Sequence, residues 1–175
     1  MSDSSPNSKT EVRLGKGMIL AGWLIALALL TMYFNQWLNE RQNPNANPMT
    51  STEGGVNQVV LVRNFQHHYV ASGSINGVEV TFMVDTGATT VSIPAHLSDK
   101  LGLRSGAPQM VNTANGVVET RATTIHELRL GTITLNNVRA NINPGMHGDE
   151  ILLGMSALKN IEFTHRDGTL TLKQY

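Results

Sequence analysis

The 175-residue chain contains no cysteine. Disulfides, thiolate zinc centres and cysteine nucleophiles are thereby excluded, and the redox compartment stays open, because a disulfide-free domain can fold in any of them. Net charge is missing as well: thirteen Lys and Arg balance thirteen Asp and Glu. The basic footprint of a nucleic-acid binder is absent, so nucleic acid is not expected as a partner. No solenoid period recurs, and no low-complexity tract occurs outside one polar stretch near the N-terminus. Ser92 and Ser156 lack a nucleophile-elbow sequence around them, which gives a serine hydrolase no support. His67 and His68 would point to opposite faces of a strand with no Asp or Glu clustered beside them, so no metal site is expected. Length is limiting too, with room for one domain of roughly 100 to 150 residues and accessory segments but not for two full lobes.

What the chain does have begins with an uncharged apolar run over residues 17–34 that Trp37 and Leu38 can extend. At about 1.5 Å per residue it covers most of a hydrocarbon layer of about 30 Å. Lys9, Arg13 and Lys16 precede it, whereas only Arg41 follows closely, and Tyr33, Phe34 and Trp37 supply aromatics for the far interface. A secretory signal would have a shorter apolar region and a small-x-small cleavage site rather than these bulky residues. The expected organisation is a cytoplasmic segment at 1–16, a transmembrane anchor at 17–38, a flexible linker at 39–58 and a folded domain at 59–175. The linker reading rests on Pro44, Pro48, Gly54, Gly55 and many Asn, Ser and Thr, a composition that buries little.

From Val59 onward, short apolar segments alternate with turn signals, the pattern of an all-β domain. Val78, Val80, Phe82 and Val84 alternate with Glu79, Thr81 and Met83, which is a strand with one buried face. Asn76-Gly77 before it signals a type I′ hairpin turn whose other strand is 69–75. Residues 94–101 read as a short helix, 110–121 as a more polar hairpin turning at Asn115-Gly116, and 128–130 with 133–135 as a small pair around Gly131. A loop at 143–145 precedes the apolar run 151–155, followed by a short helix at 155–159 and two strands hinged at Asp167-Gly168. The segment ending in Leu152-Leu153-Gly154 weakly echoes the one ending in Val84-Asp85-Thr86-Gly87, without an acid of its own.

Asp85-Thr86-Gly87-Ala88 occurs once, between the apolar strand ending at Val84 and a second strand-like segment, Thr89 to Ile93. Alone, Asp-Thr-Gly is an ordinary turn former. In this setting a carboxylate is presented on a tight turn between two strands, with Gly87 allowing backbone N–H groups to approach it. Asp149-Glu150 lacks the Thr-Gly that follows Asp85 and reads as a solvated loop.

The segment 82–93, the polar Asn-Gly hairpin about thirty residues later and the Leu-Leu-Gly segment before a short helix together resemble the retropepsin-like aspartic proteases, in particular a bacterial membrane-anchored branch. The resemblance covers 59–175 and is specific at Asp85-Thr86-Gly87-Ala88. It implies a single-lobe acid-protease β-barrel with one or two short helices, preceded here by one transmembrane helix. It further implies an aspartic endopeptidase in which two chains of a homodimer each supply Asp85, with Thr86, Gly87 and Ala88 supporting the loop. Thr113, Ala114, Asn115 and Gly116 would form the tip of a flap over a peptide or protein substrate. Gly154 would be the small residue that lets its strand pass beneath the active-site loop. Two carboxylates about 3 Å apart share one proton, so one can deprotonate a water while the other protonates the carbonyl; neither a metal nor an organic cofactor is required. The implied location is the bacterial inner membrane, single-pass, with the N-terminus cytoplasmic and the domain periplasmic. The competing reading is a non-catalytic dimeric module that holds a peptide or partner at the membrane in the same cleft.

Overall fold

The computed structural model describes residues 8–113 and 116–175, with side chains from Gly17 onward. The chain divides into two compact units, 1–40 and 41–175. The first is dominated by one continuous helix, α1, Ser8–Gln42. Its apolar part, Gly17–Gln42, has 26 residues and a mean hydropathy of 2.0 and is solvent-exposed along its length. At about 1.5 Å per residue it exceeds the thickness of a hydrocarbon core, so by length and composition it can cross a membrane or serve as a signal sequence. Near its C-terminal end Phe34 meets Tyr33 and Trp37 edge to face, with ring centroids 6.0 and 6.2 Å apart.

The second unit is built from eleven strands: β1 Met49–Glu53, β2 Val56–Val62, β3 Val70–Ile75, β4 Val78–Val84, β5 Val91–Pro94, β6 Pro108–Thr113, β7 Gly116–Leu130, β8 Ile133–Asn143, β9 Glu150–Leu153, β10 Glu162–Arg166 and β11 Thr169–Gln174. Among the described residues a 3-10 turn, Ala95–Leu97, and a short helix, α2 Met155–Leu158, accompany the strands. Seven strands form one sheet in the order β3-β4-β9-β5-β8-β7-β6, and an additional β3–β7 pairing closes it into a barrel, leaving β6 as an outrigger. Closure removes the free edges that an open sheet would expose. The other four strands form a sheet in the order β1-β2-β11-β10.

Alternation along the strands fills the barrel. Phe82, Ile75, Ile93, Ile125, Leu128 and Ile151 are each at most 1% exposed, and Leu61 and Leu172 of the second sheet join the same core. The expected face of β4 is present: Phe82 is fully buried while Val78, Val80 and Val84 pack against the core. Gly73 on the paired strand β3 makes room for it, since a Cβ there would lie 2.7 Å from the Phe82 ring and run into the Arg129 carbonyl oxygen.

The first hairpin has the expected turn, with φ 50° at Asn76 and 81° at Gly77. Three expectations are corrected. The helix at 94–101 shrinks to one 3-10 turn, because Leu101 and Leu103 are drawn into the core and the chain turns at Gly102 with φ 64°. The polar hairpin and the small pair around Gly131 are parts of one long ladder, since β7 runs unbroken for 15 residues and pairs with β6 at one end and β8 at the other. Its polar residues marked exposure, not the end of a strand.

The third correction concerns residues 39–58, expected as a flexible linker. From Asn43 onward this stretch is part of the folded unit. Asn45 is 2% exposed, and its side-chain Nδ2 donates to the carbonyls of Val62 (2.8 Å) and Val70 (2.6 Å), while its Oδ1 accepts from the Val62 N–H (2.7 Å). Asn43 Nδ2 donates to Ser72 Oγ at 3.0 Å, and Asn64 Nδ2 donates to the Gln42 carbonyl at 3.0 Å. Gly54 and Gly55, with φ 58° and 85°, turn β1 back onto β2. Asn side chains hold the segment by hydrogen bonds to backbone, which apolar content does not reveal.

Candidate active site

The apolar face of β4 anchors the strand so that the chain leaves the barrel at Asp85. β4 runs parallel to β9 with Val84 opposite Leu153, and the Asp85 N–H donates to the Leu153 carbonyl at 3.2 Å. The echo between the two segments is thus a physical pairing of adjacent strands. After Asp85 the chain makes a turn closed by the Ala88 N–H donating to the Asp85 carbonyl at 3.2 Å, then enters β5 at Val91.

Asp85 is half-buried, and its Oδ1 accepts the Gly87 N–H at 2.9 Å. A Cβ at Gly87 would stand 3.2 Å from the same oxygen, crowding the carboxylate. Thr86 is exposed, and its hydroxyl has no hydrogen-bond partner among the described residues. Ala88 contributes through its carbonyl, which accepts the Met155 N–H at 2.8 Å, while the Thr89 carbonyl accepts the Ser156 N–H at 3.0 Å. The start of α2 therefore fastens the exit of the loop, and Gly154 passes directly beneath it.

A buried polar network that the sequence did not disclose supports the loop from behind. Ser92 Oγ donates to Asn141 Oδ1 at 2.8 Å, Asn141 Nδ2 donates to Thr90 Oγ1 at 2.8 Å, and Asn143 Nδ2 donates to Ser92 Oγ at 3.4 Å. Ser156 adds a second tie, its Oγ accepting the Val91 N–H at 3.0 Å and donating to the Arg139 carbonyl at 2.6 Å. Partially hidden signals were Asn141 and Asn143, alternating with the apolar Ala140 and Ile142 at the buried end of β8, where a buried polar group requires a partner.

Of the expected flap residues, Thr113 and Gly116 pair across the turn of the β6–β7 hairpin, and Thr113 Oγ1 donates to the Gly116 carbonyl at 2.8 Å. Ala114 and Asn115 lie outside the described residues. Met110 and Val117 on this hairpin are 65% and 61% exposed, an unusual display of apolar side chains on a projecting arm. Other carboxylates are engaged at different places in the fold. Asp149 meets His96 Nε2 at 2.8 Å, Glu162 accepts from the Tyr175 hydroxyl at 2.7 Å, and Glu127 pairs with Arg129 at 2.8 Å. The hydrogen bond from Arg129 holds Glu127 below the usual carboxylate range. Among the described residues no three His, Asp or Glu side chains gather as a metal site.

One carboxylate is thus held by a backbone N–H on a glycine turn at the end of a barrel strand. Residues 71–160 match the family model described as gag-polyprotein putative aspartyl protease. The chain belongs to the retropepsin-like aspartic protease family. Its barrel superposes on the crystal structure of a retropepsin-like aspartic protease from Rickettsia conorii with a TM-score of 0.55 and 27% identity, covering 72% of this chain and 95% of that one. An uncharacterised protein in the cobV 5′ region of Sinorhizobium is 28% identical over 163 residues, 86% of this chain and 70% of the relative. An uncharacterised protein of Rickettsia prowazekii is 28% identical over 128 residues, 71% of this chain. The alignment spans only 54% of that second relative. Within this retropepsin-like chain, the aspartic-protease match runs from β3 through α2, the stretch that contains the Asp85 loop, the β6–β7 hairpin and Gly154.

Proposed function

We propose that this retropepsin-like protein is a membrane-anchored aspartic endopeptidase that works as a homodimer. The observation that carries the reading is the single Asp85 carboxylate held by Gly87 on an accessible loop, half of the pair the chemistry needs. In a two-fold dimer the same residue of a second chain supplies the other half. The two carboxylates titrate as a unit sharing one proton; the charged member takes a proton from a water as that water attacks the peptide carbonyl, and the protonated member donates to the carbonyl oxygen. The hydroxyl of Thr86 would bond across the two-fold axis and lock the paired loops. The β6–β7 hairpin, with Thr113 to Gly116 at its tip, would fold over an extended peptide, excluding water and adding backbone hydrogen bonds.

Residues 17–38 would anchor the chain in a bacterial inner membrane, with 1–16 cytoplasmic and the barrel periplasmic, as the Lys9, Arg13 and Lys16 flank supports. Confinement to a surface raises the effective concentration of chains and makes a weak dimer functional.

The test is hydrolysis of a diverse peptide library by the full chain in detergent micelles. Cleavage is expected to fall at least about a hundredfold in Asp85→Asn and to be blocked by a pepstatin-type transition-state mimic. Undiminished cleavage by Asp85→Asn refutes the assignment; binding of peptides with no cleavage by the wild type at acid or neutral pH favours the non-catalytic module instead.

A further inference from the structure

Next to the Asp85 loop lies a broad cavity of about 920 Å³ that none of the four loop residues lines. Its wall begins at Thr89 and Thr90, the first residues after the loop, and continues through Arg104, Thr124, His126 and Arg139. Among the described residues no Asp or Glu lines it. In a chain with zero net charge, two arginines lining one space without a carboxylate form a local concentration of positive charge.

These cations are available. Among the described residues neither Arg104 nor Arg139 forms an ion pair, and the nearest acid in sequence to His126, Glu127, is bound to Arg129. The backbone that carries the two arginines is held in place. The segment carrying Arg104 follows the buried Leu101 and Leu103, and the Gly106 N–H donates to the Ala122 carbonyl at 2.7 Å while the Ala122 N–H donates to the Ala107 carbonyl at 2.9 Å. A side chain at Gly106 would collide with that Ala122 carbonyl, so the loop lies flat against β7. Thr123 Oγ1 donates to the Arg104 carbonyl at 2.8 Å, fixing the backbone at the arginine itself. Arg139 sits opposite Thr124 in the β7–β8 ladder, its carbonyl tied by Ser156. The hydroxyls of Thr89 and Thr124 have no partner among the described residues and can donate to an anion.

We infer that this cavity is an accessory site for an acidic peptide segment, whose carboxylates pair with Arg104 and Arg139. A guanidinium matches a carboxylate two bonds at a time, and two of them in the lining of one cavity suit a chain bearing several acids. The volume fits an extended peptide stretch and far exceeds a single small anion. The inference rests on the protease reading only for its consequence: because Thr89 and Thr90 join the cavity to the Asp85 loop, the favoured substrates carry an acidic stretch several residues from the cleaved bond.

The experiment uses the full-length Asp85→Asn chain in detergent micelles and a fluorescent Glu-rich peptide, with its Gln-for-Glu counterpart as reference. At low salt the Glu-rich peptide is expected to bind roughly tenfold tighter than the Gln peptide, a preference weakened by added salt. Arg104→Gln with Arg139→Gln is expected to erase the preference, whereas Arg166→Gln on the remote strand β10 leaves it intact. Both substituted side chains at the cavity are exposed, and an unchanged unfolding midpoint verifies the fold. A preference that is absent from the start, or that survives the double substitution, overturns the inference. Competition by inorganic phosphate at micromolar concentration also overturns it, in favour of a small free anion. Binding is read without cleavage, so a chain that cuts nothing leaves this result standing, and loss of the acidic preference leaves the cleavage assignment standing.

Discussion

Gly154 and Ala88 approach so closely that a Cβ on the glycine would lie 2.7 Å from the Ala88 carbonyl oxygen and would also strike the carbonyl of Thr90. At φ −86° the glycine is needed here for space and not for a left-handed backbone. Gly154→Ala is therefore expected to push the exit of the Asp85 loop away from α2, stretching the Met155 to Ala88 bond. A loss of about 1–3 kcal/mol in urea unfolding is expected, as for other overpacked sites, with peptide cleavage falling further than the folded fraction explains.

Asn141 joins Ser92 to Thr90 while only 2% exposed. Truncation by Asn141→Ala leaves Thr90 Oγ1 and Ser92 Oγ short of partners at the root of the loop. Urea denaturation should show a loss of about 1–3 kcal/mol, and kcat should drop because Thr90 no longer fixes the chain leaving the loop.

Asn45 separates a fixed connection from a loose tether. The three hydrogen bonds of this buried side chain make Asn45→Ala costly, by about 2–3 kcal/mol in unfolding free energy. In limited proteolysis the wild type should resist cutting over residues 43–58, while Asn45→Ala should be nicked there quickly.

The Tyr69 hydroxyl is buried with no hydrogen-bond partner among the described residues. Its ring packs edge to face on His165 at 5.9 Å, so the aromatic body, not the hydroxyl, holds the position. Tyr69→Phe is expected to leave the unfolding midpoint unchanged or raise it, by up to about 1 kcal/mol in stability, since an unpaired polar atom is removed from the interior.

The part of the barrel that carries Asp85 was readable in the sequence because its signals are local: the period-two face around Phe82, the Asn76-Gly77 turn and the single Asp-Thr-Gly-Ala turn each act within a few residues. Gly154 was legible for the same reason, through the Leu-Leu-Gly echo that turns out to be a strand lying beside β4. What stayed hidden is long-range. The length of β7 depends on pairing with both β6 and β8, and the ordering of residues 43–58 depends on Asn45 reaching Val62 and Val70. The Ser92–Asn141–Thr90 network spans 49 and 51 positions of sequence, and the cationic cavity assembles Arg104, His126 and Arg139 from three separate segments. Polar composition alone does not distinguish a loop from a strand with one solvated face, or a tether from a backbone clamp.

The central claim is that each chain carries half an active site, and subunit mixing tests it most directly. Wild-type and Asp85→Asn chains are combined in equal amounts in detergent micelles, exchanged to equilibrium and assayed for peptide cleavage at fixed total protein. If catalysis needs one Asp85 from each of two chains, activity follows the square of the wild-type fraction and falls to about a quarter of the all-wild-type value. Activity proportional to the wild-type fraction, about one half, would contradict the account by showing that one Asp85 per catalytic unit is enough.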